Sequence, residues 1–439
     1  MLYLTPKKSF CRASLLLAIV AAVLLPSSQA QTFSVIHTFN GADGSKPLAG
    51  VSIDAIGRLY GTTWSGGSYD DGTTFRLARQ GSGWILNPLL EFYGNNGTNP
   101  LAKPGFAPNG LLYGTTNAGG HGNCEGLGCG EVYALRPGPT ACTSALCPWS
   151  GVVALSFSGI NAICELGQGI FRDRVPGLRN TTDTNPGVCP GFGDLAFDAA
   201  GNVYGTVSCC DGSVYELTSS GTNVLYSFSG GADGSGPLSG VIFDQAGNLY
   251  GTTYSGGANG CGTVYELSPN GSSWTETVLY SFGCDTDSGS APIGGLIIDA
   301  AGNLYGTTNF GGANHGGTVF ELSPSGGGWT FQLLYSLRYN GTFDFIYYGP
   351  TGSLAMDAAG NLYGTGLMDG SFGGGNVFKL TPSNGSWTYT DLYDFDADTN
   401  GTFPWGDVSL DVNGNLYGTT SAGGNSNGDG YGVVWEITP

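Results

Sequence analysis

Asp394-Phe395-Asp396-Ala397-Asp398-Thr399-Asn400-Gly401 is the stretch of this chain that comes nearest to a chemical site in its own right. Oxygen-bearing side chains at alternate positions, closed by a glycine, resemble the first half of a calcium loop, where successive oxygens face one hard cation. The glutamate that completes such a loop at the expected offset is missing. Asp394, Asp396, Asp398 and Asn400 therefore carry two readings, a calcium site and a solvated acidic loop, and the acidic loop is the default. Other chemistry-bearing patterns are absent: there is no His-Glu-x-x-His, no phosphate-loop Gly-Lys-Ser/Thr and no nucleophile elbow. The chain has three histidines, His37, His121 and His315. Acid–base chemistry would therefore fall mainly to carboxylates that the fold brings together, and spacing alone does not identify that pair.

Sulfur is the second reactive group. Of eleven cysteines, Cys11 lies in an N-terminal leader, which leaves an even number for disulfides. Zinc is the alternative, but Cys124–Cys129 and Cys142–Cys147 lack the spacing of two paired C-x-x-C knuckles. Cys261 begins one short apolar segment and Cys284 follows the next, with the turn Pro269-Asn270-Gly271 near the midpoint. An antiparallel hairpin would bring the two sulfurs together, so this pair is expected to be bonded. Cys164 and Cys189 are paired by proximity alone.

The leader has a basic start (Lys7, Lys8, Arg12), an apolar run over 13–25 and small residues before Gln31. It reads as a secretory signal peptide spanning 1–30, too short and wrongly flanked for a membrane span. Removing its three bases takes the formal charge from −19 to −22. Such a charge repels phosphate backbones and anionic lipids, which argues against nucleic-acid and membrane-surface partners. The expectation is a protein exported to the extracellular or periplasmic space, with no membrane anchor, and monomeric.

The elements that must position any site are legible in a repeat. The heptapeptide GNLYGTT stands at 247–253, 302–308 and 414–420, and four relaxed copies centre on Tyr60, Tyr113, Tyr204 and Tyr363. Glycine is so frequent, at 79 residues, that helices of ordinary length have almost nowhere to form. Each unit instead resolves into four short segments rich in Val, Ile, Tyr, Phe and Thr, as strands require. In the unit around Tyr305 these are 295–299, 303–308, 317–322 and 329–337. Four antiparallel strands repeated radially make a propeller blade. The mature chain opens with an isolated fourth segment, Val35-Ile36-His37-Thr38-Phe39, and its last unit lacks one. The expected fold is thus all-β: a seven-bladed β-propeller over 31–439, its ring closed by the N-terminal strand. The wide gap between Tyr113 and Tyr204 is read as an insertion at about 160–190, with a degenerate eighth blade as the rival.

The core Asp-x-x-Gly-Asn-Leu-Tyr-Gly-Thr-Thr, then Gly-Gly, then Gly-Thr-Val-Phe/Tyr-Glu-Leu-Ser-Pro, resembles the Gloeobacter–Verrucomicrobia tandem repeat of exported bacterial proteins. The resemblance runs over essentially all of 32–439. It implies an extracellular repeat protein, often with a C-terminal surface anchor, and it lends no general activity. No sorting tail follows Pro439, so secretion is expected over anchoring.

A residue repeated in every blade belongs to the scaffold. Asp54, Asp198, Asp244, Asp299, Asp357 and Asp411 hold the same turn position, where a carboxylate accepts turn amide hydrogens and the following glycine supplies positive φ. Function should lie where blades differ. After the second segment, Trp64, Tyr254 and Phe310 interrupt small polar positions. Aromatics on glycine-rich loops suit stacking on sugar rings or on a partner's apolar surface, and equally suit packing on adjacent loops. The expected function is a secreted, non-catalytic binding or adhesion propeller with a polysaccharide or extracellular protein as ligand. A carbohydrate-active lyase or hydrolase and a purely structural envelope protein are the alternatives.

Overall fold

The computed structural model describes residues 31–120, 130–138, 149–156, 193–208, 211–284, 287–339, 349–396, 399–425 and 430–439. Within them the chain forms seven four-stranded antiparallel sheets and no helix. Each sheet runs from a two-residue inner strand at the ring's centre to a long outer strand, in sequence order in blades one to six. Blade one comprises Ser52–Ile53, Leu59–Thr63, Thr73–Gln80 and Gly83–Glu91. Blade seven takes three strands from the C-terminal end and its outer strand, Thr32–Thr38, from the start of the chain. Thr32 pairs with Thr438 and Thr38 with Val433, so the N-terminal strand closes the ring. The segment at about 160–190 and the Cys164–Cys189 pair lie outside the described residues.

The repeated heptapeptide has a specific job in this architecture. In blade five, Asp299 Oδ1 accepts the amides of Ala301 at 2.8 Å and Asn303 at 2.9 Å, while Oδ2 accepts the Asn303 side chain and the Tyr305 hydroxyl. One carboxylate thus ties the turn, the next strand and the buried tyrosine together. Where blade two has Ala107 instead, Asn109 Oδ1 takes over a turn amide, that of Leu111. The glycine after the tyrosine makes room for a ring from the third strand. A Cβ on Gly306 would stand 2.6 Å from Phe320 Cζ, so any side chain there would expel the ring.

Each outer strand carries one extra residue against its neighbour, as at Leu279 between Val278 and Tyr280, or Leu334 between Leu333 and Tyr335. The bulge turns two successive apolar residues to the same side. Leu334 and Tyr335 both pack on blade six as a result. The core is accordingly a set of seams between blades. Tyr250, Val264 and Phe282 of blade four meet Leu296, Leu304, Phe320 and Leu322 of blade five in one such seam.

Candidate functional site

Short lead-in segments precede the inner strands and ring the channel mouth: Pro47-Leu-Ala-Gly50, Pro100-Leu-Ala-Lys103, Gly193-Asp194, Pro237-Leu-Ser-Gly240, Pro292-Ile-Gly-Gly295, Pro350-Thr-Gly-Ser353 and Pro404-Trp-Gly-Asp407. Neighbouring segments approach backbone to backbone. A Cβ on Gly294 would stand 2.5 Å from the Gly352 carbonyl oxygen, and one on Gly352 equally close to that of Gly406. Glycine is the residue that permits this approach. The last position of each segment is Gly in blades one, four and five, but Lys103, Asp194, Ser353 and Asp407 in the others.

These exceptions converge. Lys103 Nζ lies 2.9 Å from Asp194 Oδ2 and 2.7 Å from Asp407 Oδ2, and the Lys103 amide donates to Asp194 Oδ1. The Ser353 amide donates to the other Asp407 oxygen, and the Gly295 amide to Ser353 Oγ. Lys103, Asp194 and Asp407 keep 22%, 35% and 12% of their side-chain surface open, so they face a space and are not sealed in a core. That space is an open cavity of ≈ 640 Å³, counting solvent at its mouth, walled by Leu48, Leu101, Leu238, Ile293 and Trp405. The part of it enclosed enough to hold water-sized groups is ≈ 70 Å³, so a ligand would dip a few groups into it and lie across its mouth.

The charges within it are unequal. Burial pushes the Asp194 carboxyl up to about 7, the Lys103 charge opposes that rise, and Asp407 reinforces it. Asp407 stays below its ordinary value. Burial would raise it, but the Lys103 charge and hydrogen bonds from Asp194, Lys103 and the Ser353 amide outweigh that. Burial would lower Lys103, and the two carboxyls raise it above the ordinary lysine value instead. Of the two acids, Asp194 is therefore the one whose neutral form is favoured and Asp407 the one that holds its charge. Such a cluster offers an ammonium donor, a carboxylate acceptor and a carboxyl that serves as either.

The residues singled out by sequence fall around this mouth and not in it. Tyr254 and Phe310 are half-buried and pack with Trp405 against Leu238, Ile293, Leu367 and Met368, so they stand behind the cavity wall. Trp64 is half-buried in the corresponding loop of blade one, where its amide donates to the Lys46 carbonyl. Cys261 and Cys284 are joined, with Cα atoms 5.4 Å apart. The bulge in the outer strand of blade six places Asp391 and Asp394 on one side of that strand. Burial, then Asp394, pushes Asp391 up to about 7. Asp396 is exposed, Asn400 is half-buried and Asp398 lies outside the described residues. Among the described residues no group of three or more His, Cys, Asp or Glu side chains is arranged to hold a metal.

Lys103, Asp194 and Asp407 are absent from the candidates picked by sequence. The available signal was a break in pattern: a charged residue at a position that is glycine in other blades.

Solved structures resemble this chain at low identity. The extracellular domain of a protein described as a one-component system from B. thetaiotaomicron is 13% identical, with a TM-score of 0.50, over 92% of this chain and 40% of that one. PorZ, a surface component of the type-IX secretion system of Porphyromonas gingivalis, is 13% identical over 91% of this chain and 47% of its own, with a TM-score of 0.48. A gluconolactonase from Xanthomonas campestris is 15% identical over 56% and 71%, with a TM-score of 0.35. No curated protein matches the sequence. Among the described residues no helix is long and apolar enough to cross a membrane. The Gloeobacter/Verrucomicrobia repeat matches residues 24–148 and 177–346.

Proposed function

The chain belongs to the Gloeobacter/Verrucomicrobia repeat family, and from that premise we propose that it is an exported binding propeller that seats a neutral, hydroxyl-rich glycan at the channel mouth. One observation carries the reading: Lys103, Asp194 and Asp407 meet in an open cavity whose remaining wall, Thr351 apart, is apolar side chains and glycine. An ammonium has three donors, and the two carboxyls take two of them. Sugar hydroxyls both donate and accept, so they can complete such a cluster, while the carbon faces of the ring lie against apolar side chains. An anionic ligand would add a third acidic group to a site with one base. Trp64 is proposed as a further stacking contact at the rim, with Tyr254 and Phe310 shaping the wall.

The enzymatic alternative would use the same acids. Glycosidase carboxyls flank the scissile bond at a separation of about 5–9.5 Å. Asp194 and Asp407 instead grip one Lys103 ammonium, at 2.9 and 2.7 Å, where a scissile bond would have to lie, which supports retention over cleavage. A screen of neutral polysaccharides, scoring both retention of the protein and release of soluble product, tests the proposal. Retention without product is expected, and Lys103→Met should weaken it about tenfold or more, the usual loss for a charged contact at the centre of a binding site. The reading is lost if no neutral glycan is retained, or if product accumulates in proportion to protein.

A further inference from the structure

Among the described residues the exposed large aromatics are Tyr69, Tyr93, Phe372 and Tyr431. All four stand on the face that carries the channel mouth, in loops that follow second or outer strands. None belongs to the repeated heptapeptide. Three of them lie along one continuous strip. The Tyr69 and Tyr93 ring centroids are 5.6 Å apart with planes at 47°. Gly67, two residues before Tyr69, donates its amide to the Gly41 carbonyl. Gly41 in turn lies under the Tyr431 ring, so close that a Cβ there would stand 3.2 Å from it. The strip therefore runs from blade seven, across the closing seam, to the loop that leaves blade one.

The backbone at each of these rings is tied down, at Tyr431 by its carbonyl, which accepts the Lys46 amide at 2.8 Å. Asp70 Oδ1 accepts the Gly66 amide at 2.8 Å, and Asp71 Oδ2 accepts the Gly94 amide at 3.0 Å. Asp70 itself holds a φ of 61°, a left-handed conformation that a non-glycine residue adopts at a cost. Rings held this way are pre-organised, and they stay 62%, 48% and 46% exposed at Tyr69, Tyr93 and Tyr431. Their contacts with one another and with Gly41 leave much of each ring open.

We propose that Tyr69, Tyr93 and Tyr431 form a stacking track for successive units of a neutral glycan chain, so that the ligand of this propeller is a polymer. The inference rests on the channel-mouth reading, which supplies the first seated unit. The chemistry of the strip selects the occupant. A contacting pair of rings and a third ring beyond it, edged by glycine backbone and carboxylates, match a chain of flat carbon faces edged with hydroxyl donors. A protein interface instead needs a contiguous apolar centre. A single-stranded nucleic acid would also stack on such rings, but its phosphates would meet Asp70 and Asp71 on a chain of formal charge −19.

The test compares affinities for a retained polysaccharide and for its oligomers of increasing length, using the unaltered protein, Tyr69→Ala/Tyr93→Ala, Lys103→Met and Phe372→Ala. Affinity of the unaltered protein should rise with chain length. The double variant should lose about tenfold for the polymer, keep its affinity for the shortest bound oligomer, and show a flattened length dependence. Phe372, on the same face but off the strip, should be replaceable without effect. An unchanged length dependence in the double variant overturns the track, as does an equal loss in Phe372→Ala. If Lys103→Met fails while the double variant binds like the unaltered protein, the pocket stands and the track falls. If no neutral glycan is retained by any form, the channel-mouth reading falls and the track with it. Melting curves of each variant separate these outcomes from misfolding, and Tyr93→Ala alone serves should the double variant not fold.

Discussion

Asp194 differs from the framework aspartates in what surrounds its carboxyl. Asp244 and Asp299 are held below the ordinary carboxylate value: burial opposes this, and the turn amides and asparagine side chains prevail. Asp194 has Lys103 on one side and Asp407 on the other, and burial raises it. A folded state that keeps a proton which the unfolded chain has already released loses stability as pH climbs from the ordinary carboxylate range to about 7. Asp407, with its lowered value, acts in the opposite sense and at the acid end: its contribution is lost as pH falls through that value. Two results follow. Asp194→Asn should raise the melting temperature more at pH 8 than at pH 5, because the amide stays neutral at both. Glycan retention by the unaltered protein should decline as pH rises through 7, and the asparagine variant should show no such decline. A flat profile in the unaltered protein would mean that the Asp194 proton plays no part in binding. The turn aspartates were legible in sequence because they recur. Lys103, Asp194 and Asp407 come from three different blades, and no spacing along the chain announces that a ring will bring them together.

At the scale of the strand, the outer strands show what repetition hides. Leu86, Phe331 and Tyr389 pack their apolar side chains on the neighbouring blade at one register position, opposite a buried leucine of the third strand. Blade four has Glu276 there, opposite Leu267. One carboxyl oxygen is buried with no hydrogen-bond partner, and burial, then Asp233, pushes the acid up to about 7. This is a cost, since an unsatisfied buried polar group typically loses about 1–3 kcal/mol. Glu276→Leu should therefore stabilise the protein by about 1 kcal/mol or more. The gain should be larger at pH 8 than at pH 4, because the native carboxyl resists ionisation that the unfolded chain permits. Chemical denaturation at the two pH values measures it, and a loss of stability at both would show that Glu276 has a partner worth keeping. The four-strand unit was legible from its turns and apolar runs. The bulge in each outer strand was not, because one extra residue leaves no mark on a segment that is apolar throughout. That bulge explains why the fourth segments lack the clean alternation of a half-exposed strand.

The whole ring depends on a strand that arrives from the far end of the chain. Sequence made this visible through an orphan fourth segment at one end and a unit lacking one at the other. The packing shows how much rests on it. Phe33 stacks on Tyr393 of blade six with centroids 3.6 Å apart and also meets Phe395 and Trp435. Phe39, just past the strand, packs among Val51, Leu59 and Phe75 of blade one. The N-terminal segment thus seals the seams on both sides of blade seven. Arg79 of blade one reinforces the join through Glu436, which accepts the Tyr417 hydroxyl. Inside the ring, Lys103 of blade two reaches Asp407 of blade seven across the glycine of blade one. Removing residues 32–39 would bare the Val433–Thr438 edge and strip aromatics from two seams. Each large buried aromatic contributes about 3–5 kcal/mol, against about 5–15 kcal/mol for a whole domain. A chain beginning at Gly41 should therefore lose cooperative melting, or associate through the bare edge as unpaired strands do. A synthetic peptide of residues 31–40 added in trans should restore part of the transition if strand pairing is the cause. Calorimetry with sedimentation reads both effects, and a cooperative, monomeric transition at the unaltered temperature would show that the ring holds without its closing strand.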